Sequence, residues 1–547
     1  MRVAIAQVNP IVGDLRGNRG LVEESADKAV GARADVVVLP EMVLSGYPPM
    51  DLLLRDDFVR DQIRELEALE ATSRRIPILL GAALPATGVR PGKLVNAAVL
   101  LADGERAAVR AKSLLPTYDV FDEKRYFTPA ATHEPALLRG TPVGLTVCED
   151  SWVEEIGYSV DPIAELAAAG AHCVFNLSAS PWHVDKARER RHMISRLVSS
   201  IRVPIVFVNQ VGGNDELVFD GGSFVTNAEG RIVASLPLFE SAFEVVDLEA
   251  AGSGCSSDDV AEPGAVEQLE AGLCLGIRDY FRKQGLHHGA VVGLSGGIDS
   301  AVTAHLAATA LGVDAVLGIA MPGPFSSDHS VGDALELGRR IGIEVRLVNI
   351  TPLYDAYLEV FRGLFGERED FGIAQQNIQS RIRGATLMAV SNAEDRIVLA
   401  TGNKSELSTG YCTLYGDTVG GLAVLGDVYK RDVYALARHA NRGAERIPTN
   451  SIDKPPSAEL ATDQLDQDDL PPYDVLDAVL EQAVEGQMAA SEITLPAGAS
   501  RETVENIVRR LDRNEYKRRQ SPLVLRTSPK AFGSGRRLPI VHRYRED

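Results

Sequence analysis

Along the first 247 residues, short apolar runs rich in β-branched side chains alternate with longer stretches of mixed polarity. Val36–Leu39, Ile78–Gly81, Ala97–Leu101, Val143–Val147, Cys173–Leu177 and Ile205–Val208 are the clearest runs. Each is short, apolar throughout and bounded by turn residues, which predicts buried strands of an α/β unit. The alternation stops at residues 252–264, GSGCSSDDVAEPG, whose small polar residues and proline predict a linker. From about residue 265 a helical pattern leads into a predicted strand, Ala290–Leu294. Ala315–Ile319, Glu344–Val348 and Arg396–Ala400 follow as further strands between helical segments. The pattern therefore predicts two α/β domains, 1–247 and 265–547, joined by a linker over 248–264. At 547 residues the chain is too long for one ordinary core, which agrees.

Two late stretches break the rhythm. Residues 451–474 are acidic and proline-rich, so they read as a loop or lid and not as a core element. From Arg513 to Arg545 the chain is rich in Arg and Lys with one acid, Glu515. Such a tail either stays solvated or folds over anionic ligands or a partner subunit.

Composition narrows the function classes. Hydrophobic residues at 45% and charged residues at 24% give the balance of a soluble globular protein. No apolar run reaches the length of a membrane span, and MRVAIAQVNPIVGDL reads as a strand entering a turn and not as a signal peptide. The five cysteines are scattered, with no CxxC pair, which excludes a disulfide framework or a zinc site and points to a reducing cytoplasm. A net charge of −20 argues against general nucleic-acid or membrane-surface binding, both partners being polyanions. It leaves room for ATP, whose phosphates need only a few backbone N–H groups and a lysine or two.

Three segments of the first half end in reactive residues. VVVLPE ends in Glu41, AAVRAKSLLPTYDVFDEKRYF carries Lys112 after a strand-like run, and VGLTVCEDSW puts Cys148 directly after a predicted strand. Ligands and nucleophiles gather beyond the carboxyl ends of strands in open α/β sheets, so the three can converge. A thiol must be activated by a base, a carboxylate can shuttle the proton to a leaving amine, and an ammonium can support the oxyanion. Alone, Cys148 would read as a core residue and Lys112 as a solvated surface charge; together they read as a catalytic set.

These segments resemble the signature blocks of the nitrilase, or carbon–nitrogen hydrolase, superfamily. The resemblance covers about residues 1–247 and implies an α-β-β-α sandwich with Glu41, Lys112 and Cys148 as the triad. It further implies Glu123 as a second glutamate beside the triad and Tyr47 and Tyr118 as aromatics lining a glutamine pocket. Glu149, Ser178 and Ser180 are matched to holding the ends of that glutamine.

A second centre lies in AVVGLSGGIDSAVTAHLAATALG, residues 290–312. Here a strand, a tight glycine turn and a helix follow one another, a ready anion site at a helix N-terminus. Ser295, Gly296 and Gly297 make the turn, and Asp299 and Ser300 open the helix as capping-type residues. With no GxxxxGK[ST] lysine this is not a Walker A loop. SGGIDS resembles the PP-loop of the N-type ATP pyrophosphatases, doubly wound parallel-sheet domains that release pyrophosphate and adenylate a carbonyl oxygen.

Downstream, QNIQSRIRGATLM, LATGNKSELSTGYCTLYGD, GDVYKRDVYALA and KPPSAEL resemble the NAD synthetases. That resemblance implies ATP contacts at Thr401, Lys430 and Ser457, and Mg²⁺ held by Asp299 and Glu406. It implies contacts to the deamido-NAD substrate at Asn377, Arg381, Glu406, Asp417 and, in the tail block YKRRQSP, Lys517. The stretch TLYGDTVGG departs from the ammonia-dependent, single-domain members, which carry lysine at Leu414 and aspartate at Gly421, and looks like the glutamine-dependent branch. Together the two resemblances imply that glutamine is hydrolysed for ammonia, used in an AMP-forming amidation of deamido-NAD in a cytoplasmic homo-oligomer with no tightly bound organic cofactor; the family analogy alone implies a tunnel between the sites. The alternatives are another glutamine-dependent, AMP-forming amidotransferase, a nucleotide sensor with a decayed hydrolase domain, or a nitrilase fused to an interaction module.

Overall fold

The computed structural model describes residues 1–86, 93–250, 252–368, 370–462, 464–542 and 544. Residue 251 of the predicted linker, 463 of the predicted lid, and 543 and 545 of the basic tail lie outside the described residues. The chain divides into two compact units, Met1–Glu262 and Pro263–Asp547.

The first unit is built on two six-stranded sheets. One runs Ala242–Asp247, Arg2–Gln7, Val36–Val38, Ile78–Pro85, Leu94–Ala102, Glu105–Ala111. The other runs Ile232–Ser235, Phe224–Thr226, Ile205–Asn209, Val174–Ser178, Thr141–Val147, Ala136–Leu138. Side chains alternate across each strand. Val3, Ile5, Val36 and Val38 meet Leu145, Val147, Phe175, Leu177 and Val206 of the second sheet in one apolar layer. Ala4, Ala6 and Val37 turn the other way, onto Val22 and Ala26 of helix Leu15–Gly31 and Leu66 and Leu69 of helix Asp56–Ser73. On the far face of the second sheet, Val174, Ile205 and Phe207 pack on Ile163, Met193, Ile194 and Val198 of two further helices. The layers are therefore helix, sheet, sheet, helix, the α-β-β-α sandwich.

Segments of the predicted linker are held to this unit. Cys255 and Ile232 exchange backbone hydrogen bonds of 2.9 Å, and Glu262 pairs with the buried Arg191 at 2.5 Å.

The second unit carries one parallel sheet in the order Glu344–Leu347, Val316–Ala320, Ala290–Leu294, Ile397–Ala400, Leu422–Ala423, Leu523–Val524. The chain starts in the middle, winds outwards to one edge, then returns to build the other. The switch point falls between Ala290–Leu294 and Ile397–Ala400, where a doubly wound sheet opens a crevice for ligands. The predicted strand Glu344–Val348 forms over Glu344–Leu347, at the sheet edge and mostly exposed.

The tail does not hang free of this unit. Leu523–Val524 extends the sheet, Thr527 and Ser528 donate backbone N–H groups to Asp427 at 2.7 and 2.8 Å, and Arg518 is buried with its guanidinium on the carbonyls of Leu407 and Ser408. Lys404, wholly buried, gathers Asp427, Glu485, the Ser528 hydroxyl and the Lys530 carbonyl around one ammonium.

Candidate functional site

In the first unit, three strand endings converge. Glu41 follows Val36–Val38 by three residues, Lys112 follows Glu105–Ala111 directly, and Cys148 follows Thr141–Val147 directly. Close approach is built in at Gly81, where an added Cβ would lie 2.2 Å from Met42 N and 2.5 Å from Glu41 Cα. Cys148 takes φ +40°, a left-handed conformation that is costly for a side-chain-bearing residue and clusters at functional turns.

Glu41, Lys112, Cys148, Glu123 and Tyr47 are all buried. Lys112 Nζ donates to Glu41 Oε1 at 3.0 Å and to Glu123 Oε1 at 2.8 Å. Tyr47 OH donates to the same Glu123 oxygen at 3.0 Å. Glu41 is further held by the Asn96 amide at 2.6 Å and the Ala179 N–H at 2.9 Å. Asp150 ties the segments together, since its carboxylate accepts the N–H groups of Ser113, Leu114 and Val147. Burial pushes the Cys148 thiol well above its ordinary value, the Glu41 charge adds to the shift and Lys112 opposes it. The thiol is thus protonated at neutral pH and needs a base. Burial works against the Lys112 ammonium, yet the Glu123 and Glu41 carboxylates outweigh it and hold the charge. Glu123 is pushed up to about 7 by burial, against the pull of Lys112.

The remaining predicted residues of this unit spread outwards. Glu149 accepts the hydroxyls of Tyr118 and Tyr158 at 2.8 and 3.0 Å. Ser178 donates to Asn176, whose amide donates to the Cys148 carbonyl. Ser180 sits instead with Asn209 and Arg190, and no hydrogen bond joins it to the triad among the described residues. Sequence reasoning missed Asn96, Asp150, Tyr158 and Asn176. Asp150 alone carried a signal, being inside the CEDSW block.

In the second unit, the turn after Ala290–Leu294 enters helix Ile298–Leu311. Gly296 has φ +76°, and a Cβ there would lie 2.3 Å from the Ser330 carbonyl oxygen. The helix begins at Gly297 with no side-chain cap, so it is not capped by Asp299 and Ser300 as their type suggests. Ser300 reaches back, its hydroxyl accepting the Ser295 N–H at 3.3 Å and bracing the turn.

A cavity of about 280 Å³ opens beside this turn. Ser295, Gly297, Asp299, Ser300, Thr401, Glu406, Asp417, Lys430 and Ser457 line it, which brings most of the predicted ATP and metal residues together. Lys430 Nζ stands between two carboxylates, 2.5 Å from Asp299 and 3.5 Å from Glu406. Burial and the Asp299 charge push Glu406 up to about 8 despite Lys430. Arg383, Lys454, Glu459 and Asp466 also line the cavity and were not singled out from the sequence.

Asn377, Arg381 and Lys517 are not among the lining residues. They brace the neighbouring 410–418 loop: Asn377 accepts from Thr413, Arg381 donates to the Leu414 carbonyl, and Lys517 donates to the carbonyls of Gly410 and Cys412. Asp417 accepts the Thr413 N–H at 2.6 Å and is pushed up to about 6 by burial.

No cluster of three or more His, Cys, Asp or Glu able to hold a metal ion exists among the described residues. Two facing carboxylates fit Mg²⁺, which typically takes one or two carboxylates and completes its shell with water and substrate phosphates. The ammonium already between them marks a place where positive charge is favoured.

Residues 2–253 match the carbon–nitrogen hydrolase family and residues 269–521 the NAD synthase family. Fold and matches together define the class as a carbon–nitrogen hydrolase joined in one chain to an NAD synthase. The glutamine-dependent NAD(+) synthetase of Synechocystis sp. is 43% identical over 99% of this chain and 99% of its own length, and that of Thermotoga maritima 40% identical over 100% and 99%. A solved glutamine-dependent NAD+ synthetase from Acinetobacter baumannii, in complex with ADP, superposes with a TM-score of 0.78 at 36% identity, covering 98% of each chain. The chain belongs to the glutamine-dependent NAD(+) synthetase family.

Proposed function

We propose that this ligase forms NAD from deamido-NAD, ATP and glutamine, using the first domain, 1–247, as glutaminase and the second, 265–547, as synthetase. The observation that carries the proposal is the pairing, in one chain, of a buried Glu–Lys–Cys set with an uncapped helix start beside a lysine-bearing cavity.

In the glutaminase, Glu41 takes the Cys148 proton as Sγ attacks the carboxamide carbon of glutamine, and Lys112 supports the oxyanion that forms. Collapse of that adduct expels ammonia, which receives its proton from Glu41. Water, deprotonated by Glu41, then cleaves the thioester to glutamate. Glu123 and Tyr47 keep Lys112 in place, while Glu149 and Tyr118 hold the α-amino end of the substrate and Ser178 and Ser180 its far side.

In the synthetase, N–H groups of the Ser295–Gly297 turn, with Ser300, Thr401, Lys430 and Ser457, cradle ATP. Glu406 and Asp417, with the 410–418 loop that Asn377, Arg381 and Lys517 brace, orient deamido-NAD so that its nicotinate oxygen faces the α-phosphorus. Pyrophosphate leaves as the acyl adenylate forms; ammonia then attacks the carbonyl and AMP leaves. Asp299 and Glu406 would hold Mg²⁺, which when bound neutralises the charge gathering on pyrophosphate.

The active form is a cytoplasmic homo-oligomer. Helix Thr351–Phe365 carries Leu353, Tyr357, Val360 and Leu364 at 52%, 42%, 54% and 68% exposure, spaced to share one face, which supports self-association. The unbridged cysteines suit a reducing compartment, and no described helix is long and apolar enough to cross a membrane.

Cys148→Ala tests the whole scheme. Synthesis with glutamine should vanish while synthesis with an ammonium salt persists; equal loss with both nitrogen donors would refute it.

A further inference from the structure

Asn403 opens helix Lys404–Thr409 and is wholly buried. Its Oδ1 accepts the Glu406 N–H at 3.0 Å, an ordinary helix cap, and its own N–H donates to Glu406 Oε2 at 3.2 Å. A cap leaves the amide nitrogen unused. Here Nδ2 reaches across to Asp299 Oδ1 at 2.9 Å, a residue of a different helix more than a hundred positions earlier.

The two carboxylates are therefore gripped in the same way. Each has one oxygen on Lys430 Nζ and the other on Asn403, Asp299 through the side-chain amide and Glu406 through the backbone N–H. Lys430, itself buried, supplies the positive charge shared by the two carboxylates. Asn403 is fully buried and held at three points, so one residue ties both carboxylates, Glu406 by its backbone N–H and Asp299 by its side-chain amide.

We infer that Asn403 is a positioning residue that fixes Asp299 and Glu406 at the spacing a divalent cation needs. The inference rests on the proposed Mg²⁺ role of those two carboxylates. Any short polar residue could cap the helix, whereas only an amide at this position both caps it and donates to Asp299. Partners of ligating groups that hold them in orientation typically govern metal affinity by about 10–100-fold.

The test separates the cap from the bridge. Asn403→Ser and Asn403→Thr keep a capping oxygen and lose the donor to Asp299. The full chain is titrated with Mn²⁺ in the presence of α,β-methylene-ATP and free Mn²⁺ is read by electron paramagnetic resonance, alongside thermal melts. Both variants should melt close to the wild-type and bind Mn²⁺ about tenfold or more weaker. Wild-type Mn²⁺ affinity in either variant, while Asp299→Ala loses it, overturns the inference and leaves the metal reading intact. Wild-type affinity in Asp299→Ala overturns the metal reading itself. If both capping variants melt far below the wild-type, Asn403 is a structural cap and the inference falls.

Discussion

Lys112 Nζ lies 2.8 Å from Glu123 Oε1, with both side chains buried. The contact sits beside a second one to Glu41, so one ammonium serves two carboxylates. Removing it leaves both acids in a site that cannot solvate them. Lys112→Met should cost the first unit about 3–5 kcal/mol, as for other broken buried pairs, read from urea unfolding, and abolish glutaminase activity. A small stability change would mean that water reaches these carboxylates.

Glu123 links the same contact to pH. Its carboxyl is raised from 4.5 to about 7, so the folded protein holds that proton more tightly than the unfolded chain. The stabilising contribution is fully present below about 4.5 and is lost as pH rises through about 7. Glu123→Gln removes this dependence while keeping an acceptor for Tyr47. Plotted against pH, the stability of the variant relative to wild-type should climb across that window and level off above it. A flat difference contradicts the raised carboxyl.

Asp150 tests how the two reactive strand endings are kept together. It receives three backbone N–H groups, two beside Lys112 and one beside Cys148, at 2.9 to 3.1 Å. Asp150→Ala orphans all three, for about 2–4 kcal/mol of lost stability. Glutamine hydrolysis should drop by more than the folded fraction accounts for. Activity that simply tracks the folded fraction would limit Asp150 to a structural role.

At the second centre, Gly296→Ala places a Cβ against the Ser330 carbonyl at φ +76°, where an L side chain is strained by about 1–2 kcal/mol before the clash is counted. ATP-to-AMP conversion should fall about 100-fold or more with glutamine or ammonium alike. Gly297→Ala meets only its neighbour Ser295 Oγ at 3.2 Å and should be much milder. Equal effects from the two substitutions would show that loop geometry does not control the reaction.

The exposed face of helix Thr351–Phe365 gives a further measurement. Val360→Glu with Leu364→Glu, both on the apolar stripe, should shift the mass found by light scattering to a smaller assembly. An unchanged mass removes this helix from the interface.

Much of this was legible in the sequence because it depends on local order. A buried strand followed at once by Cys148, or by Ser295 and two glycines, announces both the element and the side chain it presents. The sheet layers came from the family resemblance, and the structure builds them with Val3 and Ile5 facing one way and Ala4 and Ala6 the other. What stayed hidden depends on distant partners. Nothing near Asn96 says that its amide meets Glu41, and nothing in GNKSE says that Asn403 reaches Asp299, although its N-x-x-E spacing is that of a capping box. Lys404 and Arg518 mislead for the same reason: a charged residue in a polar stretch reads as solvated until the fold supplies its acceptors.

Each unit is closed by a strand from its own far end. Ala242–Asp247 pairs with Arg2–Gln7 in the first, and Leu523–Val524 completes the edge of the second. On the ribosome the chain emerges N-terminus first, and domains fold as they appear. The first unit can seal its sheet while the second is still being synthesised. The second must wait for its last strand and for Ser528 and Lys530 to reach Lys404. A chain broken off early in the second half would thus carry a finished cysteine centre and no finished nucleotide site, so translation itself sets the order in which the two chemistries come into being.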